Sequence, residues 1–174
     1  MNFQDLVQKR RSIRKFTDQE LTPDQVQTIL RAALMSPTSK SSRAWHFIVV
    51  DDKELLEKLA QCKSAGADFV KDAPLAIVVL MDTALTDVWV EDASIAAVTM
   101  QYQAADLGLG SCWAQVRLRG REDEGTPAND ILRYLLGYPE TWEAECIVAF
   151  GHPAIERKPQ DEDKLKWECV EVKS

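Results

Sequence analysis

The sequence has no C-x-x-C pair and no zinc or iron–sulfur spacing. Its four cysteines, Cys62, Cys112, Cys146 and Cys169, are scattered, and its two histidines, His46 and His152, lie far apart. That spacing argues against a resident metal, and the thiols read as reduced, structural residues. No G-x-G-x-x-G follows a strand, no phosphate-loop motif is present, and no G-x-S-x-G elbow offers a nucleophilic serine. No paired-carboxylate motif stands out. A chain so poor in candidate acids, bases and nucleophiles either binds without chemistry or borrows its chemistry from a cofactor. No apolar run is long enough to cross a bilayer. The first residues, MNFQDLVQKRRS, lack the apolar core of a secretory signal. The expectation is a soluble cytoplasmic protein with no membrane partner. A net charge of −7 argues against a nucleic-acid partner, which needs a broad basic face.

What is present is an alternation of helix and strand patterns over 174 residues, enough for one domain with a real core. Phe3, Leu6, Val7 and Arg10 recur at helical spacing and predict a short helix over residues 2–11. In TPDQVQTILRAALMSP, Thr22 can cap, Pro23 suits the first helical position and Gln25 sits where a capping-box partner belongs. Val26, Ile29, Leu30, Ala33 and Leu34 form its apolar stripe. Pro37 ends that helix near Ser36. WHFIVVD from Trp45 and LAIVVLM from Leu75 read as buried strands, with a helix from Lys53 to Gln61 between them. Glu91 to Leu107 is an Ala-rich helix whose small residues let another backbone approach, which suits a central or interface position. SCWAQV and ECIVAFG predict two more strands, and Pro127 to Leu136 another helix. Arg117 to Thr126 reads as an exposed loop. The alternation in WECVEV predicts a fifth strand over Trp167 to Val172, with no hairpin partner. There is no linker or repeat. Residues 1–174 therefore form one α/β or α+β domain, with 160–174 as its C-terminal arm and strand.

Four stretches carry candidate sites. In RRSIRKF, Arg10, Arg11, Ser12 and Arg14 place guanidinium forks and a hydroxyl together, as a phosphate requires. The alternative is a basic helix end favouring its own dipole. SPTSKSSRAWHF offers backbone N–H groups and hydroxyls to a polar planar ligand, or is an ordinary connection. LGLGSCW contains Gly108, a natural left-handed cap, and Gly110, which removes a side chain where something approaches. In GHPAIERKP, Arg157 and Lys158 add two cations after a strand end, where a solvated charged tail is the plainer reading.

Taken in order, RRSIRKF, SPTSKSSRAWHFIVV, LGLGSCW, LLGYPETWEAECIVAFGHP and ERKP make the chain resemble the nitroreductase family over nearly its whole length. These are FMN-dependent oxidoreductases of an α+β homodimeric fold. The resemblance implies three layers, a central mixed sheet of about five strands flanked by helices, and a C-terminal strand exchanged in the homodimer. It implies that Arg10, Ser12 and Arg14 contact the FMN phosphate and ribitol, with Arg11 beside them. Pro37, Thr38 and Ser39 correspond to a loop against the flavin, supplied by the partner subunit. Gly110 and Ser111 correspond to backbone near the isoalloxazine ring. Arg157, with Lys158, closes on the phosphate. Ser41 and Arg43 are further candidate contacts, and there the chain departs from the family, which often has Asn and then Gln-Pro where this sequence has Ser41, Arg43 and Ala44. The chain is short for the family, so an open or small lid is expected.

The same resemblance implies NADH or NADPH as reductant. A small electron-poor acceptor such as a nitroaromatic, quinone or enone would then be reduced. A non-catalytic flavin-binding protein, or a specialised relative that dehalogenates or fragments flavin, is the alternative.

Overall fold

A computed structural model of the chain describes residues 2–173. The elements are α1 (Phe3–Lys9), α2 (Pro23–Leu34), β1 (Trp45–Val50), α3 (Lys53–Ala60), β2 (Leu75–Asp82), α4 (Trp89–Asp106), β3 (Gly110–Gln115), β4 (Gly120–Arg121), β5 (Thr126–Pro127), α5 (Ala128–Leu136) and β6 (Trp142–Gly151). Four strands form the central sheet in the order β1–β2–β6–β3. Its ladders are antiparallel. A parallel bridge from Ser12 to Ser111 adds the N-terminal segment to the outer edge of β3 and makes the sheet mixed. The stretch expected as a loop after β3 instead holds a small ribbon, β4 paired with β5.

The period of two in β2 sorts the core into layers. Leu75, Ile77, Val79 and Met81 face one side and pack with Ile29 and Ala33 of α2 and Ala93, Ala97, Met100 and Ala104 of α4. Ala76, Val78 and Leu80 face the other, where Leu56 and Leu59 of α3 and Leu132 of α5 close the core. The result is helices, sheet, helices. The capping box of α2 forms as its sequence predicts: the Gln25 N–H donates to Thr22 Oγ1 at 3.2 Å and the Thr22 N–H donates to Gln25 Oε1 at 2.8 Å.

Asn129, buried in the first turn of α5, joins that helix to the sheet. Its Oδ1 accepts from the Ala144 N–H at 2.9 Å and from the Tyr138 hydroxyl at 2.8 Å. Asn129→Ala would leave the Ala144 N–H buried and unpaired. A penalty of about 1–3 kcal/mol follows. The expected fall in Tm is then roughly 2–12 °C for a chain of this size, checked by thermal denaturation. An unchanged Tm would contradict the assignment.

The expected fifth strand is not a strand. Residues Trp167–Cys169 make a single 3₁₀ turn, as do Glu162–Lys164. A strand needs a partner's backbone, and the arm instead meets α1 at one residue. The Gln160 N–H donates to the Gln8 carbonyl at 2.8 Å, and Gln8 Nε2 donates back to the Gln160 carbonyl at 3.3 Å. Leu165, Trp167, Val170 and Val172 are all exposed, Trp167 at 70%.

Candidate functional site

The two ends of the chain meet over a pair of glycines. Gly110 of β3 and Gly151 of β6 are register partners. Across them runs the segment after α1. The Ile13 N–H donates to the Ser111 carbonyl and the Thr17 N–H to the His152 carbonyl, each at 2.9 Å. The Ala154 N–H donates to the Lys15 carbonyl at 3.0 Å. A methyl on Gly110 would stand 2.8 Å from Ile13 Cβ, and one on Gly151 would stand 2.7 Å from Phe16 Cδ1. What approaches Gly110 is therefore the chain's own Ile13. Gly110→Ala forces those two segments apart. Overpacking of this kind costs about 1–3 kcal/mol, so a Tm lower by roughly 2–12 °C is expected. A Tm within a degree of the parent would refute the close packing.

This crossing builds a cleft of about 330 Å³ beside the C-terminal end of α4. Lys9, Arg10, Arg11 and Arg157 line it with the Gly110–Ser111 backbone, and Glu156 is the one acid among the lining residues. Four cations against one carboxylate, in a chain of net charge −7, concentrate a positive potential in one place. Arg11 is already engaged. Its Nη1 donates to the carbonyls of Lys158 and Pro159, tying the C-terminal segment to the first helix. Lys158 itself contributes a carbonyl and not its ammonium group to that contact.

Ser12 and Arg14 lie around the neighbouring Cys112. Burial pushes the Cys112 thiol up, and Arg14, a Ser12 hydrogen bond, Arg10 and Lys63 oppose the shift. Arg10, Ser12 and Arg14 thus gather about one side chain, with Arg14 also over the Phe69 ring at 5.8 Å. Lys63 is a cation that sequence reading missed. It is half-buried in the turn after α3, and burial lowers its pKa. A lysine beside Cys62 in CKSAG carries no periodic signal, and only the fold brings it to Cys112.

The other predicted stretch is elsewhere. Pro37, Thr38, Ser39, Ser41 and Arg43 lie in the connection from α2 to β1. Ser39 is bonded to Asp92 in the first turn of α4. Ala105, which lines the cleft, is near the other end of that helix. At 1.5 Å per residue the two lie about 20 Å apart along α4. One chain does not bring this loop to its own arginine cleft. Lys40, Ser41 and Arg43 have φ of 51°, 54° and 49°. Left-handed backbone costs a non-glycine residue about 1–2 kcal/mol, so the loop is held in place by its surroundings.

A buried carboxylate stands behind β3. Glu145 is 4% exposed and sits at the register irregularity of β2 and β6. Gln115 Nε2 donates to Glu145 Oε1 at 3.0 Å, and Trp113 Nε1 donates to Gln115 Oε1 at 2.8 Å. Glu145 Oε2 has no hydrogen-bond partner among the described residues. Burial raises the Glu145 pKa, while Gln115 and Arg117 lower it and Glu91 adds to the rise. The folded protein therefore holds this proton to higher pH than the unfolded chain does. Stability is penalised progressively as pH climbs above the unfolded value of about 4.3, and not below it. Glu145→Gln should raise Tm at pH 7 and leave it nearly unchanged at pH 3. Equal gains at both pH values would contradict the charge argument.

Comparison with known proteins decides the lineage. Residues 7–152 match the Nitroreductase family. The chain belongs to that family. An FMN-dependent nitroreductase from Clostridium difficile R20291 is 46% identical, with a TM-score of 0.94 over 97% of this chain and 98% of its own. The chain is also 38% identical over 157 residues to a protein provisionally named NADH dehydrogenase/NAD(P)H nitroreductase from Methanothermobacter thermautotrophicus, covering 88% of this chain and 78% of that one. An FMN reductase (NADPH) of Bacillus subtilis is 28% identical over 170 residues, 86% of this chain and 65% of its own.

Proposed function

We propose that this protein is an FMN-dependent oxidoreductase that draws on NADH or NADPH to reduce small electron-poor acceptors. The observation that carries the reading is the cleft in which Arg10, Arg11 and Arg157, from opposite ends of the chain, surround the Gly110–Ser111 backbone. An FMN phosphate carries about −1.5 to −2 charge at neutral pH. The donors that line the cleft fit that group: the guanidinium forks of Arg10 and Arg157, the Lys9 ammonium and one opposing acid, Glu156. When bound, FMN supplies the hydride chemistry that the side chains lack. Arg10 and Arg157 would hold the phosphate, Ser12 and Arg14 would reach the ribitol from outside the residues that line the cleft, and Arg11 fixes the Lys158–Pro159 backbone beside it.

The second half of the site comes from a second chain. A two-fold pair with antiparallel α4 helices sets the Asp92 end of one against the Ala105 end of the other. Ile95 and Val98 on α4, and Phe3 and Val7 on α1, are exposed apolar residues that such a pairing would bury. Residues Pro37–Arg43 would then lie against the partner's flavin. Four free cysteines suit the reducing conditions of the cytoplasm. Among the described residues, no helix is long and apolar enough to cross a membrane.

Anaerobic mixing with NADH and with NADPH tests the activity. The flavin absorbance is expected to bleach with at least one of them and to return when menadione or nitrofurazone is added. A flavin-loaded protein that bleaches with neither is a binding protein and not a reductase.

A further inference from the structure

Three left-handed residues in one short loop persist only where something holds them. Asp92 is that support. It is 3% exposed, and both of its carboxylate oxygens are committed to the loop. Oδ1 accepts from the Ser39 N–H at 2.9 Å and Oδ2 from the Ser42 hydroxyl at 3.4 Å. These two contacts bracket Lys40 and Ser41, the first two left-handed residues. Within the loop, Thr38 Oγ1 accepts from the Arg43 N–H at 3.1 Å and fixes the third. A buried carboxylate is expensive compared with an apolar side chain of that size. The surrounding core offers an apolar alternative, since Ala93, Ala96 and Ala97, in the following five residues of α4, are all fully buried. The carboxylate is therefore there for the loop.

We propose that Asp92 is a positioning residue for the flavin site of the opposite subunit. The N–H groups of Ser39, Ser41, Ser42 and Arg43 are spent on Asp92 and within the loop, and the shape they fix leaves the Ser39 and Ser41 hydroxyls for a polar ring bound in the partner's arginine cleft. This rests on the proposed sharing of each site between two chains. Asp92 touches no ligand itself. Its effect passes through the loop and appears in flavin affinity before it appears in fold or assembly.

Subunit mixing separates this role from a merely structural one. Asp92→Ala and Arg10→Ala chains are made separately and as a co-expressed mixed dimer carrying two different tags. FMN affinity and stoichiometry are read by flavin fluorescence, assembly by sedimentation, and Tm by calorimetry without FMN. Asp92→Ala alone is expected to stay dimeric and to bind FMN about tenfold to a hundredfold more weakly, the usual cost of a misplaced binding element. In the mixed dimer, one site joins an intact Arg10 cleft to an intact loop, and the other joins the two defective parts. Half the sites should then bind FMN with parental affinity. If Asp92→Ala binds FMN as the parent does, the positioning role is wrong and the flavin reading stands. If both variants are weak but mixing restores no parental site, the loop does not serve the opposite chain. If Arg10→Ala binds normally, the arginine cleft is not the FMN site. Should Asp92→Ala fail to dimerise, Asp92→Leu carries the same test, because it is about the same size and removes both acceptors. An Asp92→Leu dimer with parental affinity at every site overturns the proposal.

Discussion

FMN affinity should fall by about 10²- to 10⁴-fold in the Arg10→Ala/Arg157→Ala double variant. Each guanidinium lost removes a charge-assisted contact worth roughly 1.5–3 kcal/mol, and the two come from opposite ends of the chain. Arg10 follows α1, and Arg157 follows the Pro153 bridge to Phe16. Both line one cleft, so each keeps part of the positive potential when the other is gone. The double loss should therefore exceed either single loss clearly. Arg11 is a poorer target, because removing it also releases the Lys158 and Pro159 carbonyls from their donor. Fluorescence titration gives the affinities. Thermal unfolding without FMN should be close to that of the parent, since Arg157 is exposed and Arg10 only half-buried. A double variant within tenfold of the parent would mean that the phosphate lies elsewhere.

Deleting everything after Pro159 should weaken the dimer by at least about 10³-fold and release flavin with it. The arm presents Leu165, Trp167, Val170 and Val172 to solvent in a single chain. Burial is worth about 1.5–3 kcal/mol for each large apolar side chain. Even after the ordering cost of the arm, four such residues exceed the 4 kcal/mol or so that a thousandfold change requires. Among the described residues of one subunit, the arm beyond Pro159 is tied to the body by a reciprocal pair of hydrogen bonds with Gln8. Truncation therefore leaves the sheet and both core layers intact, and the monomer should remain folded by circular dichroism. Sedimentation equilibrium measures the association. A truncated protein that stays a flavin-loaded dimer at micromolar concentration would remove the arm from the interface.

Much of the fold was legible because its signals are local. The Thr22–Gln25 capping box, the uninterrupted LAIVVLM run and the helical stripe of α2 each carry their own physics, and each formed as expected. The failures are where an outcome depends on a partner. WECVEV has the alternation of a strand, yet it forms no strand ladder with the described residues of its own subunit, and Trp167–Cys169 make a 3₁₀ turn. The RLRGREDEGT stretch looked like a loop because a two-residue ribbon leaves no period to read. The site divides the same way. Arg10, Arg11 and Arg157 were visible as cations near the two ends, and folding brings them together. The space at Gly110 was visible, but not that Ile13 fills it. Lys63 and Asp92 were not visible, since a single charged residue on an ordinary element means nothing until the neighbour it reaches is known.

Affinity for FMN compared with riboflavin tests the central claim most directly, since the two ligands differ only in the phosphate. The cleft of convergent arginines predicts that FMN binds at least about a hundredfold more tightly, consistent with a pair of charge-assisted contacts. It also predicts that this preference largely disappears in the Arg10→Ala/Arg157→Ala variant. Equal binding of the two flavins by the parent protein would contradict it.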